Sequence, residues 1–245
     1  MSNELIYGIH AVSALLERQP ERFLEAWVLK GREDERLLPL LEQLQQAGVS
    51  IQLVMRKTLD DKVEGAIHQG IVARVREGKR YEEPDLWDLL DGIDAPLLLV
   101  LDGVTDPQNL GAVIRSAAAF GANGVILPER RSASVTAAAW KVSAGAAAHM
   151  PVARVVNLTK AIESLKERGY YSVGLDGGGD ALVGETGFET DPLVVVLGSE
   201  GNGLSRLVRE TCDSIAGIPM SNMVESLNAS VAAGITLYSV ARARR

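Results

Sequence analysis

LLLVLDGVTDPQNLGAVIRSAAAF, residues 97 to 120, decides how the rest of the chain is read. Leu97 to Asp102 is an unbroken apolar run closed by a carboxylate, the pattern of a strand buried on both faces of a parallel sheet. Asp106 and Pro107 then signal a helix start, because the carboxylate accepts an orphan amide and proline has none to orphan. The helix near Leu110 to Phe120 is built of Ala, Val, Ile and Phe with one arginine, Arg115. That arginine reads either as a snorkelling surface side chain or as an anion-facing functional group. Asn109 and Arg115 are six positions apart, about 600° of helical turn, so they serve different neighbours.

The same rhythm runs to the end of the chain. Strands are predicted at Gly124 to Pro128, Pro151 to Val156, Tyr170 to Asp176, Leu193 to Gly198 and Ile215 to Pro219. Helices fall near Thr136 to Ala147, Leu158 to Arg168, Leu204 to Thr211 and Ala229 to Arg242. Residues 97–245 are therefore expected to form an α/β domain with a mostly parallel sheet covered on both faces. Ligands of such sheets bind beyond the carboxyl ends of the strands, so the loops after strands are where chemistry belongs.

Upstream, residues 1–76 read as a smaller α/β unit. It has a helix over Gly8 to Arg18, a strand over Phe23 to Lys30, a helix over Asp34 to Gly48 and strands over Ile51 to Met55 and His68 to Val75. Between the two parts, residues 77–96 combine Gly, Pro and acidic side chains with the apolar anchors Leu86, Trp87 and Leu90, as an acidic linker with one short amphipathic helix would. This segment holds −5 of the formal net charge of −7, so both flanking parts are nearly neutral and an acidic balance excludes no nucleic-acid partner.

Composition narrows the field further. With 47% hydrophobic and 23% charged residues, 245 residues can bury a sizeable core. The single cysteine, Cys212, can form no internal disulfide and reads as a small core residue. His10, His68 and His149 have no metal-ligand spacing, and His10 and His68 read as surface or hydrogen-bonded structural histidines or, in a candidate RNA-facing domain, as bases. The start MSNELIYGIH lacks a basic region followed by an apolar stretch, and no run matches a membrane span, so a cytoplasmic location without membrane or metal partners is expected.

Two further loops carry chemistry. LGSEGNGLSRLVRE (197–210) places Gly198, Gly201 and Gly203 after a strand, but in neither the dinucleotide nor the P-loop order, which disfavours a nucleotide-dependent oxidoreductase. Glu200 there reads either as a solvated turn residue or as a carboxylate beside an adenosyl-type ligand or in a polar catalytic network. IPMSNMVESLNASVAAG (218–234) offers Ser226, Asn228 and Ser230 as helix caps, which is more caps than one helix needs. The helix that follows is apolar almost all round, as a helix buried against a second subunit would be, and ARARR reads as a solvated end. Arg130 and Arg131, just after a strand, read equally as a phosphate-contacting pair or as a polar loop.

Taken in order, LDGVTDPQNLGAVIRSA, VVVLGSEGNGLS and IPMSNMVESLNASVAAGI resemble the three motifs of the SpoU/TrmH family, in the SPOUT superfamily of S-adenosylmethionine-dependent RNA 2′-O-ribose methyltransferases. The resemblance implies a deep trefoil knot formed by the last two loops, a homodimer, and a small amino-terminal substrate-binding domain like ribosomal protein L30e. It implies a catalytic set of Asn109, Arg115, Glu200, Ser226 and Asn228, and cofactor contacts at Gly198, Ile218 and Leu227. The implied acceptor is a guanosine ribose of 23S ribosomal RNA; the alternatives are transfer RNA and a non-catalytic RNA-binding assembly protein. Arg115 would act as a strongly perturbed base or as a cation that stabilises the developing alkoxide. Arg18, Arg22, Lys30, Arg32 and Arg36 are candidate RNA contacts.

Overall fold

The computed structural model describes residues 3–31, 35–79, 81–221, 223–224 and 226–245, so Arg32 and the helix start expected at Asp34 lie outside the described residues. The chain divides into two compact units: Met1–Lys79 with Val135–His149, and Arg80–Ser134 with Met150–Arg245.

In the first unit, β1 (Asn3–Tyr7), β2 (Phe23–Leu29), β3 (Ser50–Val54) and β4 (Ile71–Arg76) form a sheet of order β1-β4-β2-β3. Only the β2–β3 pair is parallel. Helix α1 (Ile9–Arg18) buries Val12, Leu15 and Leu16, and α2 (Leu37–Gln46) buries Leu37, Leu40 and Leu44, all in one cluster with Ile6, Ala26 and Val28. The other face of the sheet gives Tyr7, Trp27 and Val72 to a cluster with Leu59 of α3 (Arg56–Lys62). Strand β1 was not legible in the sequence, since NELIY is short and polar at its outer end.

In the second unit, the elements in chain order begin with α4 (Glu83–Leu90), β5 (Leu97–Asp102), α5 (Pro107–Ala119) and β6 (Gly124–Pro128). After α6 (Ala137–Val142), which belongs to the first unit, come β7 (Val152–Val155), α7 (Leu158–Glu167), β8 (Tyr171–Leu175), β9 (Ala181–Leu182), β10 (Leu193–Gly198), α8 (Arg206–Thr211), β11 (Ser214–Gly217) and α9 (Ala229–Ala243). The seven strands lie in the order β7-β6-β5-β10-β8-β11-β9, and every pair is parallel. In β5, Leu98 and Val100 face a cluster made with α4, α7 and α8. Leu97, Leu99 and Leu101, equally buried, point to the opposite face by the two-residue period of a strand. Helices α5 and α9 pack on one another, α5 against β6 and α9 against β10. The stretch expected as a linker supplies α4, held by a capping box at Glu82 and Asp85, with Leu86, Trp87 and Leu90 buried in that unit.

Residues Val135–His149, within which Thr136 to Ala147 is expected as a helix of the carboxy-terminal domain, cluster instead with the amino-terminal unit. Trp140 sits in the cluster of Ile6, Leu15 and Val75. The helix breaks after Ser143, where Ala144 and Gly145 take positive φ and a Cβ on Gly145 would strike Ala14 and the carbonyl of His10. Removing residues 1–79 alone therefore uncovers Trp140 and its neighbours, a loss of the order of 3–5 kcal/mol for one large aromatic. A chain starting at residue 80 is expected to aggregate or to melt earlier than one in which 135–149 is also replaced by a short loop, checked by gel filtration and thermal melts of the two.

Asp213 ties α7, β8 and β11 together. Its carboxylate accepts from Ser172 Oγ (2.7 Å) and Ser172 N (2.9 Å) and lies 2.7 Å from Lys166 Nζ. Burial pushes its pKa up, but the Lys166 and Ser172 hydrogen bonds outweigh it and hold the group below the usual carboxylate value. A folded-state pKa below the unfolded one adds stability that is complete above the unfolded value, about 3.9, and is lost as pH falls through the folded value. Asp213→Asn is expected to lower the melting temperature at neutral pH, with the gap to wild type closing below about pH 4. A gap of constant size down to the lowest pH would assign the effect to packing.

The ARARR end is not simply solvated. Arg244 donates from Nε to Glu189 O (2.7 Å), from Nη1 to Ala95 O (2.6 Å) and from Nη2 to Asp191 O (2.7 Å), which fastens the end of α9 to the loops before β5 and β10. Among the described residues, no helix is long and apolar enough to cross a membrane.

Candidate functional site

The strand order changes direction between β5 and β10, and the crevice at such a switch point is where open parallel sheets bind ligands. Three loops meet there. Asp106 caps α5 by accepting from Gln108 N at 2.9 Å, and so presents Asn109 on the helix's first turn. The loop after β10 closes on itself through a reciprocal pair of bonds between Ser199 and Gly203, each 3.0 Å, leaving Glu200 at its apex. Asp102 Oδ2 accepts from Ser205 N (2.7 Å) and anchors that loop to the end of β5. Asn228 caps α9, its Oδ1 accepting from Ser230 N (2.9 Å) and Ser230 Oγ (2.6 Å).

Capping fixes the Asn228 amide. With Oδ1 committed to Ser230, Nδ2 points the other way and donates to Glu200 Oε1 (2.6 Å) and Asn109 Oδ1 (3.0 Å). Asn109 Nδ2 in turn donates to Glu200 Oε1 (3.0 Å), and Ala229 N adds a third, longer bond at 3.3 Å to the same oxygen. The result is a triangle of side chains from three loops whose orientation is set by backbone caps. Each of the two amides uses its donor and its acceptor inside the triangle or its cap. One amide thus caps α9 with its oxygen and bonds Glu200 with its nitrogen.

Beside the triangle, a cavity of about 490 Å³ opens at the carboxyl ends of β8, β10 and β11. Its walls include Gly198, Glu200, Ile218, Ser226 and Leu227. Gly198 is there for space: a Cβ would overlap the carbonyl of Gly203 and the nitrogen of Leu204. The volume suits a ligand of drug or cofactor size.

Of the residues expected from sequence, Asn109, Glu200 and Asn228 come together, and Gly198, Glu200, Ile218, Ser226 and Leu227 line the cavity. Arg115 joins neither set; it is exposed on α5 and forms no hydrogen bond or ion pair among the described residues. Six residues of helix carry it about 9 Å along the axis from Asn109. Asp176, a cavity residue at the end of β8, was read only as a strand end. It accepts from Gly178 N and lies 2.8 Å from Arg209 Nη1, and the signal that could have found it is its place after a strand.

Other candidates resolve as structural. His68 takes Gly70 N on Nδ1 (3.0 Å), so Nε2 is the nitrogen that faces Asp60 Oδ1 (3.0 Å). Arg22, expected as an RNA contact, is buried and committed to Glu4, Gln19 and the carbonyl of Arg76. Cys212 lies with its thiol 3.2 Å from Val208 O, and burial raises its pKa to about 12, which makes it inert as a nucleophile. Among the described residues, no three or more His, Cys, Asp or Glu gather to hold a metal.

A parallel α/β sheet whose switch point carries an oriented polar triangle beside a cavity of cofactor size has the arrangement of a small-molecule site. Residues 96–238 match the SpoU rRNA Methylase family and residues 5–81 the RNA 2′-O ribose methyltransferase substrate-binding domain. The chain belongs to the SpoU rRNA methylase family. It is 54% identical over 244 residues to the 23S rRNA (guanosine-2′-O-)-methyltransferase RlmB of Vibrio parahaemolyticus, covering 100% of this chain and 98% of that one. With the protein of the same name from Escherichia coli strain K12 it shares 52% identity, over 99% of both chains. Among solved structures it is similar to the SpoU methyltransferase AviRb from Streptomyces viridochromogenes in complex with AdoMet, with a TM-score of 0.82 and 26% identity over 99% of this chain and 90% of that one.

Proposed function

We propose that this protein transfers a methyl group from S-adenosylmethionine to the ribose 2′-oxygen of a guanosine in 23S ribosomal RNA. The observation that carries the reading is the Asn109–Glu200–Asn228 triangle at the rim of the Gly198 cavity, in a chain aligned end to end with relatives of that name. The donor supplies an electrophilic methyl on a sulfonium. This chain's part is to hold it, hold the ribose and manage one proton. Gly198, Ile218 and Leu227 present backbone to the donor, and folded backbone reads an adenine edge through amides and carbonyls. Ser226 and the triangle hold the sugar; placing the attacking oxygen about 3–3.5 Å from the methyl accounts for much of the rate. Arg115 is exposed, so we assign it the cationic role: it steadies the oxygen as negative charge develops, while the proton leaves to solvent.

Three architectural readings accompany this. The chain runs from β8 out to β9, back across to β10, and then to β11 between them, with Gly179 so close under β11 that a Cβ would lie 2.5 Å from Ile215 O. Closing that path into α9 supports the trefoil knot. Val231, Ile235 and Tyr238 leave an exposed apolar stripe on α9 opposite the buried Ala233, Leu237 and Val240, which supports a homodimer through that helix. The four-stranded amino-terminal unit, matched to a substrate-binding domain, supports an L30e-like RNA reader. Mapping 2′-O-methyl marks on ribosomal and transfer RNA, with and without the protein, tests the reading. One 23S guanosine should lose its mark; an intact 23S pattern with a transfer RNA mark missing would move the substrate.

A further inference from the structure

The loop after β6 carries two arginines that neither the triangle nor the cavity uses. Arg130 and Arg131 are exposed, and neither forms a hydrogen bond or ion pair among the described residues. Arg131 has φ +58°, in the left-handed region that glycine or asparagine ordinarily fills. Holding an ordinary side chain there costs about 1–2 kcal/mol, and strained residues of this kind gather where a side chain has to be aimed.

The loop is built to hold that conformation. Ser132 Oγ donates to Pro128 O (2.5 Å), and Arg154, reaching across from β7, donates to Ala133 O (2.9 Å), Ser134 Oγ (3.3 Å) and Ser132 Oγ (3.4 Å). Ala133 N donates to Val104 O (2.8 Å), joining the loop to the one that leads into Asn109. Gly103, beside Val104, lies so near the β10 loop that a Cβ on it would sit 3.3 Å from Ser199 Cβ. Three neighbouring strand ends, β6, β5 and β10, thus carry Arg131, the 103–106 loop and Glu200 in a row. Adjacent strands are about 4.8 Å apart, which puts Arg131's loop on the order of 10 Å from that of Glu200.

We propose that Arg131, flanked by Arg130, grips a phosphate of the substrate RNA strand within about three nucleotides of the target ribose. The inference rests on the functional reading above. A guanidinium fork matches phosphate oxygens in pairs, and contacts to phosphate set register without reading sequence. At about 3.4 Å per stacked nucleotide, a span near 10 Å lies within about three nucleotides of the reacting sugar. Arg154 is the positioning residue: its two Nη groups bond acceptors at 132–134 and so hold the backbone that carries Arg131.

The test uses the full-length protein, S-adenosylmethionine and unmethylated 23S ribosomal RNA from cells lacking the enzyme. Arg131→Ala is expected to raise KM for RNA about tenfold, with kcat within about twofold and donor affinity by calorimetry unchanged. The slope of log binding constant against log salt should become shallower by about 0.7, the value for one lost phosphate contact on a single strand. Arg131→Lys should retain the wild-type slope. Arg131→Gly, which relieves the backbone, should melt no earlier than wild type and yet lose the contact as alanine does. Wild-type KM and slope in the alanine and glycine variants, or a lysine variant whose salt slope falls as far as that of alanine, overturns the inference and leaves the functional reading standing. A wild-type protein that methylates none of this RNA removes both.

Discussion

Gly198→Ala should abolish donor binding, with methylation falling at least about a hundredfold, in a protein that still folds. The glycine is required for room and not for conformation. Its φ is not in the left-handed region, whereas its absent Cβ would lie inside the Gly203 carbonyl group. Admitting a methyl must push the 203–204 backbone away and open the reciprocal Ser199–Gly203 bonds. Glu200 sits inside that ring, so the cavity wall and the triangle shift together, and a displacement near 1 Å at a reacting centre costs on the order of a hundredfold. Strand β10 itself stays paired to β5 and β8, so the sheet survives. Gly201→Ala is the contrasting variant. Gly201 has φ +82° with open space around it, so alanine there meets only backbone strain of about 1–2 kcal/mol and donor binding persists. Isothermal calorimetry with S-adenosylmethionine separates the two. Gly198→Ala binding like wild type would mean that the loop has slack and the crowding argument is wrong.

What could be read from the sequence, and what could not, follows from the range of the interactions. The buried run at 97–102, the Asp106–Pro107 start and the glycine-rich turn at 198–203 are local signals, and each predicts an element that forms where expected. The meeting of Asn109, Glu200 and Asn228 spans up to 119 positions and came from the resemblance of three ordered loops, not from periodicity. Periodicity also shows which face of a helix is apolar without showing what covers it. Thus AAAWKV looked like one more helix of the parallel domain, although Trp140 packs among Ile6, Leu15 and Val75. Arg22 and Arg244 were misread for a related reason. Their partners include backbone carbonyls 54 and up to 149 positions away, and carbonyls leave no trace in composition. Strand β9, two residues long, carries too few side chains to show a pattern, although it shapes the path from β8 to β10.

Arg115→Ala should lose methylation by about 10²–10³-fold in kcat while leaving the affinity for S-adenosylmethionine nearly unchanged. The two halves of that result have separate grounds. Arg115 lines no part of the cavity and caps no loop, so its removal leaves Gly198, Ile218 and Leu227 where they are. Its exposed guanidinium is also uncommitted among the described residues, so it is available to a ribose oxygen whose charge grows only as the methyl moves. An interaction made in the transition state and not before lowers kcat without weakening donor binding. Arg115→Lys keeps the charge and gives up the planar fork, so a cationic role leaves lysine well above alanine in rate, and a fork aligned on both ribose and phosphate brings it closer to alanine. Single-turnover methylation of unmodified 23S ribosomal RNA at saturating donor is the measurement. Equal rates for alanine and wild type would take Arg115 out of the chemistry and leave the triangle and Ser226 as the groups that hold the ribose.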